Sequence, residues 1–375
     1  MEKIKLLFIL PTLNGGGAEK VVCNLMNSLN KKEFEVNLFL FNNSGVYWDL
    51  LDSNIKIILA TQNKCNSKIK ILKSLYNVSK NMDIIIGSME LMPTYLSIMI
   101  SKILHKKVIG WIHINIDSIL NDKSLLIRIL HKKFLLKLFY NQLDKIITVS
   151  NGSKESICKY LIPSNKTKVQ CIYNPIDISF IKKKSLEPMN ENLNKPLVMG
   201  IGRLERQKNF ALLIKAHKIL LDKGIQQNVV ILGQGSQYEY LSNMINKFNL
   251  TDTVKLLGFK KNPYKYLKQA DVFVQSSIYE GLPTVLIEAL VLGIPVVATN
   301  CPDGAKEILD NGKYGLLVDS NKEKLLADNI EKILSDINLR NKYKIYSKEA
   351  ITRFEIKHIT KIFEQLFLSL YKQKD

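Results

Sequence analysis

Two glutamates eight positions apart, Glu280 and Glu288, carry the strongest chemical signal in the chain, within Tyr279–Thr299, YEGLPTVLIEALVLGIPVVAT. Between them Gly281, Leu282, Pro283, Thr284 and Val285 read as a loop entering a helix. Pro283 suits a first helical turn. Thr284–Leu292 is apolar and helix-compatible, and Gly293 followed by Pro295 ends it. Glu280 then falls in the entering loop and Glu288 in the helix body, on the face that Thr284 shares. A helix entrance offers backbone N–H groups to an anion. Two carboxylates repel phosphate but accept hydrogen bonds from hydroxyls. A ligand with both hydroxyls and phosphate, a nucleotide sugar, fits the combination.

Further candidates lie upstream. In Gly200–Ala216, GIGRLERQKNFALLIKA, Arg203 and Lys208 fall between a strand and a helix, where cations can hold a diphosphate and stabilise it as a leaving group. On its own the segment also reads as a solvated surface loop. Pro11–Glu19, PTLNGGGAE, places Gly15, Gly16 and Gly17 between a strand and a helix, which permits close backbone approach to a ligand. A dinucleotide site would need spaced glycines and an acid ending the second strand. Here the glycines are contiguous and that strand ends at Asn42, so NAD binding is not expected. His113 closes a strand and is either structural or part of the site. Asn174-Pro175-Ile176-Asp177 reads as a hinge turn. Lys123–Tyr140, KSLLIRILHKKFLLKLFY, carries Arg128, Lys132, Lys133 and Lys137 over about half of a helical circumference. It is read either as a helix lying on a membrane surface or as a core helix with snorkelling lysines.

The elements that position these residues alternate. Strand candidates in the first half are Ile4–Leu10, Glu35–Phe41, Ile55–Leu59, Asp83–Gly87, Lys107–His113, Lys145–Val149 and Lys168–Tyr173. Those in the second half are Leu197–Gly202, Asn228–Gly233, Val254–Phe259, Val272–Ser276, Ile294–Thr299 and Gly315–Val318. Near-continuous apolar strands separated by helices predict parallel sheets covered on both faces. At 375 residues, two domains are expected. The polar run Ile181–Pro196 reads as the linker, giving domains 1–180 and 181–356, with a last helix of about 357–375 free to pack back on the first.

Composition limits the function classes. No apolar run is long enough to span a bilayer. No charged leader with a cleavage site precedes the first strand, so no signal peptide is expected, and the cysteine usage suggests a reducing cytoplasm. Five scattered cysteines fit neither a disulfide framework nor a metal spacing. The net charge is +20, and the first 188 residues hold 27 lysines and arginines against 14 acids. That imbalance points to an anionic partner, although lysine-rich coding bias explains it equally well. Basic charge is all that favours nucleic acid, since no aromatic and basic residues interleave.

Taken together, these motifs resemble glycosyltransferase family 4, retaining enzymes of the GT-B fold. The resemblance covers nearly the whole chain and is strongest from Gly200 to Leu309. It rests on Glu280 and Glu288, on the G-x-G-R-L-x-x-Q-K-N segment, and on CPDGAKEIL at Cys301–Leu309. It is similar to members that build bacterial surface polysaccharides and lipid-linked oligosaccharides. The resemblance implies two doubly wound Rossmann-like domains and a nucleotide-diphosphate donor, expected to be UDP-linked. The sugar is expected to be a hexose or N-acetylhexosamine, the acceptor lipid-linked or oligosaccharide, and no metal or other cofactor is expected. The enzyme would sit peripherally on the anionic inner face of the cell membrane. It also implies that Glu288 binds ribose hydroxyls and that Glu280 faces the donor sugar, with the Gly281–Val285 backbone around it. Arg203 and Lys208 would clamp the diphosphate, Gly16 and Gly17 would approach the phosphate, His113 would contact the sugar, and Phe259 would border the base. Many relatives carry Asn in place of Thr284 and Ser-Gly-Pro in place of Asp303-Gly304-Ala305. The competing expectations are a UDP-sugar epimerase of the same fold and a non-catalytic protein that binds anionic polymers.

Overall fold

The computed structural model describes residues 2–60, 68–319 and 322–373. The chain forms two compact units, 1–175 with 356–375, and 176–355.

In the first unit seven strands form one parallel sheet: β1 (Ile4–Leu10), β2 (Phe34–Leu40), β3 (Lys56–Leu59), β4 (Ile84–Gly87), β5 (Lys107–Ile112), β6 (Lys145–Thr148) and β7 (Val169–Cys171). Their order is β3-β2-β1-β4-β5-β6-β7. In the second unit β8 (Leu197–Ile201), β9 (Asn228–Leu232), β10 (Val254–Leu256), β11 (Val272–Gln275), β12 (Val296–Thr299) and β13 (Leu316–Val318) are also parallel, in the order β10-β9-β8-β11-β12-β13. Both are doubly wound, Rossmann-like sheets. Every strand candidate is a strand: Ile4–Leu10 matches β1, β2 is shifted one residue earlier, and the others are trimmed by one to three residues where the chain turns into a loop. Sidedness explains the clarity of the signal. The central strands are apolar on both faces, as in β4, IIIG, and β12, VVAT, each buried throughout.

Strand order fixes where ligands bind. In each sheet it reverses beside the first strand of the unit, between β1 and β4 and between β8 and β11. The crevice outside the carboxyl ends of the strands at such a point is where doubly wound folds take ligands. The glycine loop follows β1 and the Arg203–Lys208 loop follows β8.

The linker expectation is corrected. Ile181–Pro196 belongs to the second unit, because Ile178–Lys184 is a helix with Ile181 buried, and Asp177 caps it by accepting from the Phe180 N–H at 2.8 Å. Polarity alone suggested a linker, yet one apolar anchor and a cap dock the segment. The chain crosses between units at 175/176 and at 355/356. The two crossings lie side by side, since the Ile176 N–H bonds the Phe354 carbonyl at 2.8 Å. The hinge turn at Asn174–Asp177 therefore coincides with the first crossing.

Helix Ile356–Lys372 belongs to the first unit. Its apolar face explains this. Phe363 packs on Trp111 at 4.9 Å between ring centroids, and Phe367 meets Phe8 at 6.3 Å and Phe34 at 6.0 Å. Burying each such ring stabilises by about 1.5–3 kcal/mol. Thr360 and Ser28 share a hydroxyl hydrogen bond of 2.6 Å, which fixes the register.

Candidate active site

In the second unit the loops after β8 and β11 are sewn together. The Ile278 N–H bonds the Gln207 carbonyl at 2.8 Å. The Gln207 amide donates to the Tyr279 carbonyl at 2.9 Å, and the Ser276 hydroxyl donates to the Lys208 carbonyl at 2.9 Å. These bonds bring Lys208 onto Glu280, with 2.5 Å between ammonium and carboxylate. Ser277 Oγ donates to the same oxygen at 2.6 Å, and Gln207 reaches the other at 3.4 Å. Glu280 is only 5% exposed. A carboxylate this buried needs such partners, because an uncompensated buried charge is costly.

Glu280 is followed by buried Gly281, Leu282, Pro283 and Thr284, and by partly buried Val285. Helix Thr284–Val291 begins there with Pro283 at its cap position, a residue that makes no side-chain cap bond. Glu288 lies in the helix body, 2% exposed. Arg203 sits in the loop after β8 and is exposed. Phe259, 37% exposed, lies in the loop after β10. Cys301 is buried, and burial first and Glu280 second push its thiol up to about 12, which leaves it a poor nucleophile.

The remaining candidates lie in the first unit. Gly16 takes the extended cap position of helix Gly17–Ser28, where a Cβ would fall 2.2 Å from Glu19 Oε2. Gly17 opens the helix and is exposed. His113 follows β5 against Trp111, at 4.6 Å between ring centroids. Some of its surface stays exposed, but both ring nitrogens are shut off from solvent and meet no hydrogen-bond partner. That burial pulls its pKa down to about 3, with the Ser88 carbonyl acting weakly the other way, so the imidazole is neutral at physiological pH. Its backbone N–H donates to Glu90 at 3.3 Å.

Sequence reasoning missed the supports. Gln207 and Ser277, which hold Glu280, left no signal because neither is unusual in a loop. Gly233-Gln234-Gly235 after β9 left one, since a G-x-G after a strand marks close backbone approach. A Cβ on Gly233, at φ +146°, would sit 1.8 Å from the Gly202 carbonyl, so the β9 loop presses directly on the β8 loop. Within Asp303-Gly304-Ala305, the glycine packs on a loop of the site. Gly304 has φ +76°, and a Cβ there would lie 2.6 Å from both the Gly281 carbonyl and Pro283 Cδ. Gly304→Ala should therefore lower the stability of the second unit by about 1–3 kcal/mol. Chemical denaturation checks this, and a change within error would mean that the 281–283 loop yields at no cost.

Two doubly wound units, with Lys208 and Glu280 gathered at the switch point of the second, form a ligand-binding scaffold of the open α/β class. Residues 15–180 match the family model described as Glycosyltransferase Family 4, and residues 181–350 match Glycosyl transferases group 1. The chain is 31% identical to the N-acetylgalactosamine-N,N'-diacetylbacillosaminyl-diphospho-undecaprenol 4-alpha-N-acetylgalactosaminyltransferase of Campylobacter jejuni, over 94% of this chain and 96% of that one. A second C. jejuni transferase, GalNAc-alpha-(1->4)-GalNAc-alpha-(1->3)-diNAcBac-PP-undecaprenol alpha-1,4-N-acetyl-D-galactosaminyltransferase, is 30% identical over 95% and 96%. Among solved structures, Anabaena HepE in complex with UDP-glucose superposes with a TM-score of 0.77 at 19% identity, over 98% of this chain and 100% of that one. The chain belongs to the family 4-like glycosyltransferases of the GT-B fold. It is an enzyme of that class, which removes the epimerase and the non-catalytic binder. No described helix is long and apolar enough to cross a membrane.

Proposed function

We propose that the chain transfers a hexose or N-acetylhexosamine, with retention, from a UDP-linked donor to a lipid-linked saccharide. The observation that carries this is the Lys208–Glu280–Ser277 cluster beside the uncapped start of helix Thr284–Val291. Without a ligand, Glu280 neutralises Lys208. An arriving diphosphate competes for that cation and leaves the carboxylate to accept sugar hydroxyls. Arg203 and Lys208 clamp the diphosphate, the Gly281–Val285 backbone and the helix start take phosphate oxygens, and Glu288 accepts from the ribose. Phe259 borders the base, and within the first unit Gly16, Gly17 and neutral His113 are the groups we assign to a ligand.

The acceptor oxygen attacks C1 on the face the nucleotide leaves. The bond from C1 to the phosphate oxygen breaks, the acceptor proton passes to that oxygen, and UDP departs. The two cations stabilise the charge that develops there, so the reaction is proposed to run without a metal, and retained activity in a chelator checks this. The lipid-linked acceptor is supported by the C. jejuni relatives, whose names carry diphospho-undecaprenol or PP-undecaprenol, and the UDP donor by the Anabaena complex. The enzyme works on the inner face of the cell membrane.

Thermal unfolding with UDP, GDP, ADP and NAD tests the donor site. UDP at about a hundred times its dissociation constant should stabilise by about 2.7 kcal/mol, and Glu288→Ala should abolish the effect. Stabilisation by GDP or ADP instead overturns the donor, and silence with every nucleotide overturns the site.

A further inference from the structure

At the switch point of the first sheet, β4 stops short of its neighbour. It pairs with β5 from Ile84 and Lys107 to Gly87 and Gly110, and there it leaves the sheet, while β5 runs on to Ile112. The Ile112 carbonyl accepts the Val149 N–H at 3.3 Å on the β6 side. Backbone groups alternate along a strand, so the next N–H, that of His113, points to the side that β4 has left. A side chain takes up the missing bond. Carried on in the same register, position 90 stands opposite position 113, and Glu90 Oε2 accepts the His113 N–H at 3.3 Å.

The turn that carries Glu90, residues 88–91, is strained and firmly held. Leu91 has φ +61° and ψ −113°, a combination that L side chains rarely adopt. Such strain persists only where the surroundings impose it, and it gathers at functional sites. Here the fully buried Tyr140 offers its hydroxyl to the Leu91 N–H at 3.0 Å. Thr94 Oγ1 donates to the Met89 carbonyl at 2.6 Å, and the Ser88 N–H bonds the Ile9 carbonyl of β1 at 3.1 Å. Helix Met92–Leu104 follows at once and presses Thr94 onto both strands. A Cβ on Gly87 would fall 2.7 Å from Thr94 Cα, and one on Gly110 would fall 3.2 Å from Thr94 Cγ2.

His113 depends on this turn. Among the described residues neither of its ring nitrogens meets a hydrogen-bond partner, and Trp111 lies against the ring at 38° between planes. The placement of the imidazole is therefore inherited from the backbone at 113. A water on that N–H would satisfy it without fixing it. The Glu90 carboxylate ties it to a turn that four further bonds and a helix hold still. We propose that Glu90 is a positioning residue, which from the strained turn after β4 sets the His113 imidazole for its ligand. The proposal rests on the assignment of His113 to a ligand and adds the residue that makes that assignment work.

UDP release to water from UDP-glucose, UDP-galactose, UDP-N-acetylglucosamine and UDP-N-acetylgalactosamine tests this, with thermal unfolding in UDP read on every variant. Glu90→Ala should lower kcat about tenfold. KM should stay within about twofold, since the groups assigned to UDP lie in the second unit. Glu90→Gln keeps an acceptor oxygen at the same reach and should recover to within about threefold of wild type. His113→Ala should itself cost about tenfold or more, and adding Glu90→Ala to it should cost less than about twofold further. Additive losses mean that Glu90 acts by another route, and a glutamine variant as slow as the alanine one means that its charge does the work. Either result overturns the proposal. A second readout needs no donor. The chain has two tryptophans, so Trp48→Phe leaves Trp111 alone against His113. In that background its emission should change with Glu90→Ala and stay put with Glu90→Gln, and identical spectra for all three overturn the proposal. A slowed His113→Ala beside an unaffected Glu90→Ala takes down this proposal alone. A wild type silent with all four donors, or a His113→Ala variant as fast as wild type, takes down the assignment of His113 and the proposal with it. An intact UDP response in the variants leaves the nucleotide site standing in each case.

Discussion

Lys208→Ala should lower turnover by about 10²–10³-fold, the usual cost of losing one preorganised donor to developing charge. The same change should destabilise the second unit by about 3 kcal/mol, because it strips the ammonium from Glu280 while Ser277 and Gln207 remain. The two losses have different origins and separate cleanly. Lys208→Met combined with Glu280→Gln removes both charges and should recover most of the stability. It should recover none of the activity, since neither the clamp nor the hydroxyl acceptor returns. Initial rates and denaturation curves on the two single variants and the double variant decide the matter. A double variant as active as wild type would remove both residues from the chemistry. Arg203→Ala should cost a similar factor in turnover but little stability, as its side chain is exposed.

The protein should lose stability on mild acidification, in both units, through two histidines. His113 is held neutral by burial with its pKa near 3. His217, in the second unit, is 1% exposed and its pKa falls to about 4, again through burial. Its Nδ1 accepts from the Gln227 amide and its Nε2 meets Thr253 Oγ1, both at 2.8 Å, a network that suits the neutral ring protonated on Nε2. Folded pKa values below the unfolded value mean that acid protonates the unfolded chain first. Stability is therefore fully present above about pH 6.5 and falls as pH drops from there toward the folded values, by about 1.4 kcal/mol per pH unit per histidine. Denaturation at about pH 7 and pH 5 should show roughly 2 kcal/mol lost in total for each of the two folded units. In His217→Leu the second unit should start less stable, with Gln227 and Thr253 deprived of a partner, yet lose its share of the slope. Flat stability over that interval would sink the argument.

These residues also show how far the sequence reaches. The Glu280 to Glu288 segment was legible because helix punctuation, two carboxylates and a glycine-proline loop act over a few positions. The strands were legible because burial on both faces writes continuous apolar runs. The amphipathic segment was half legible. Its composition allowed a core helix or a surface helix, and only the packing of Tyr95 and Tyr140 leaves Leu126, Leu130, Phe134 and Leu138 outside. The supposed linker misled because a polar run with a single apolar anchor at Ile181 looks like one without any.

The sequence by itself determined two doubly wound parallel sheets, the loops that carry the candidate residues, and a basic first half. These are local or additive properties, set by period, turn residues and charge. Tertiary structure alone decided which loops touch. Strand order places β8 beside β11, and this brings Lys208 to Glu280 across seventy-two positions of chain. It also sets Gly304 against the Gly281–Pro283 loop and returns Phe363 and Phe367 to the first sheet. Such contacts follow from sheet topology and side-chain volume, quantities that no window of sequence contains.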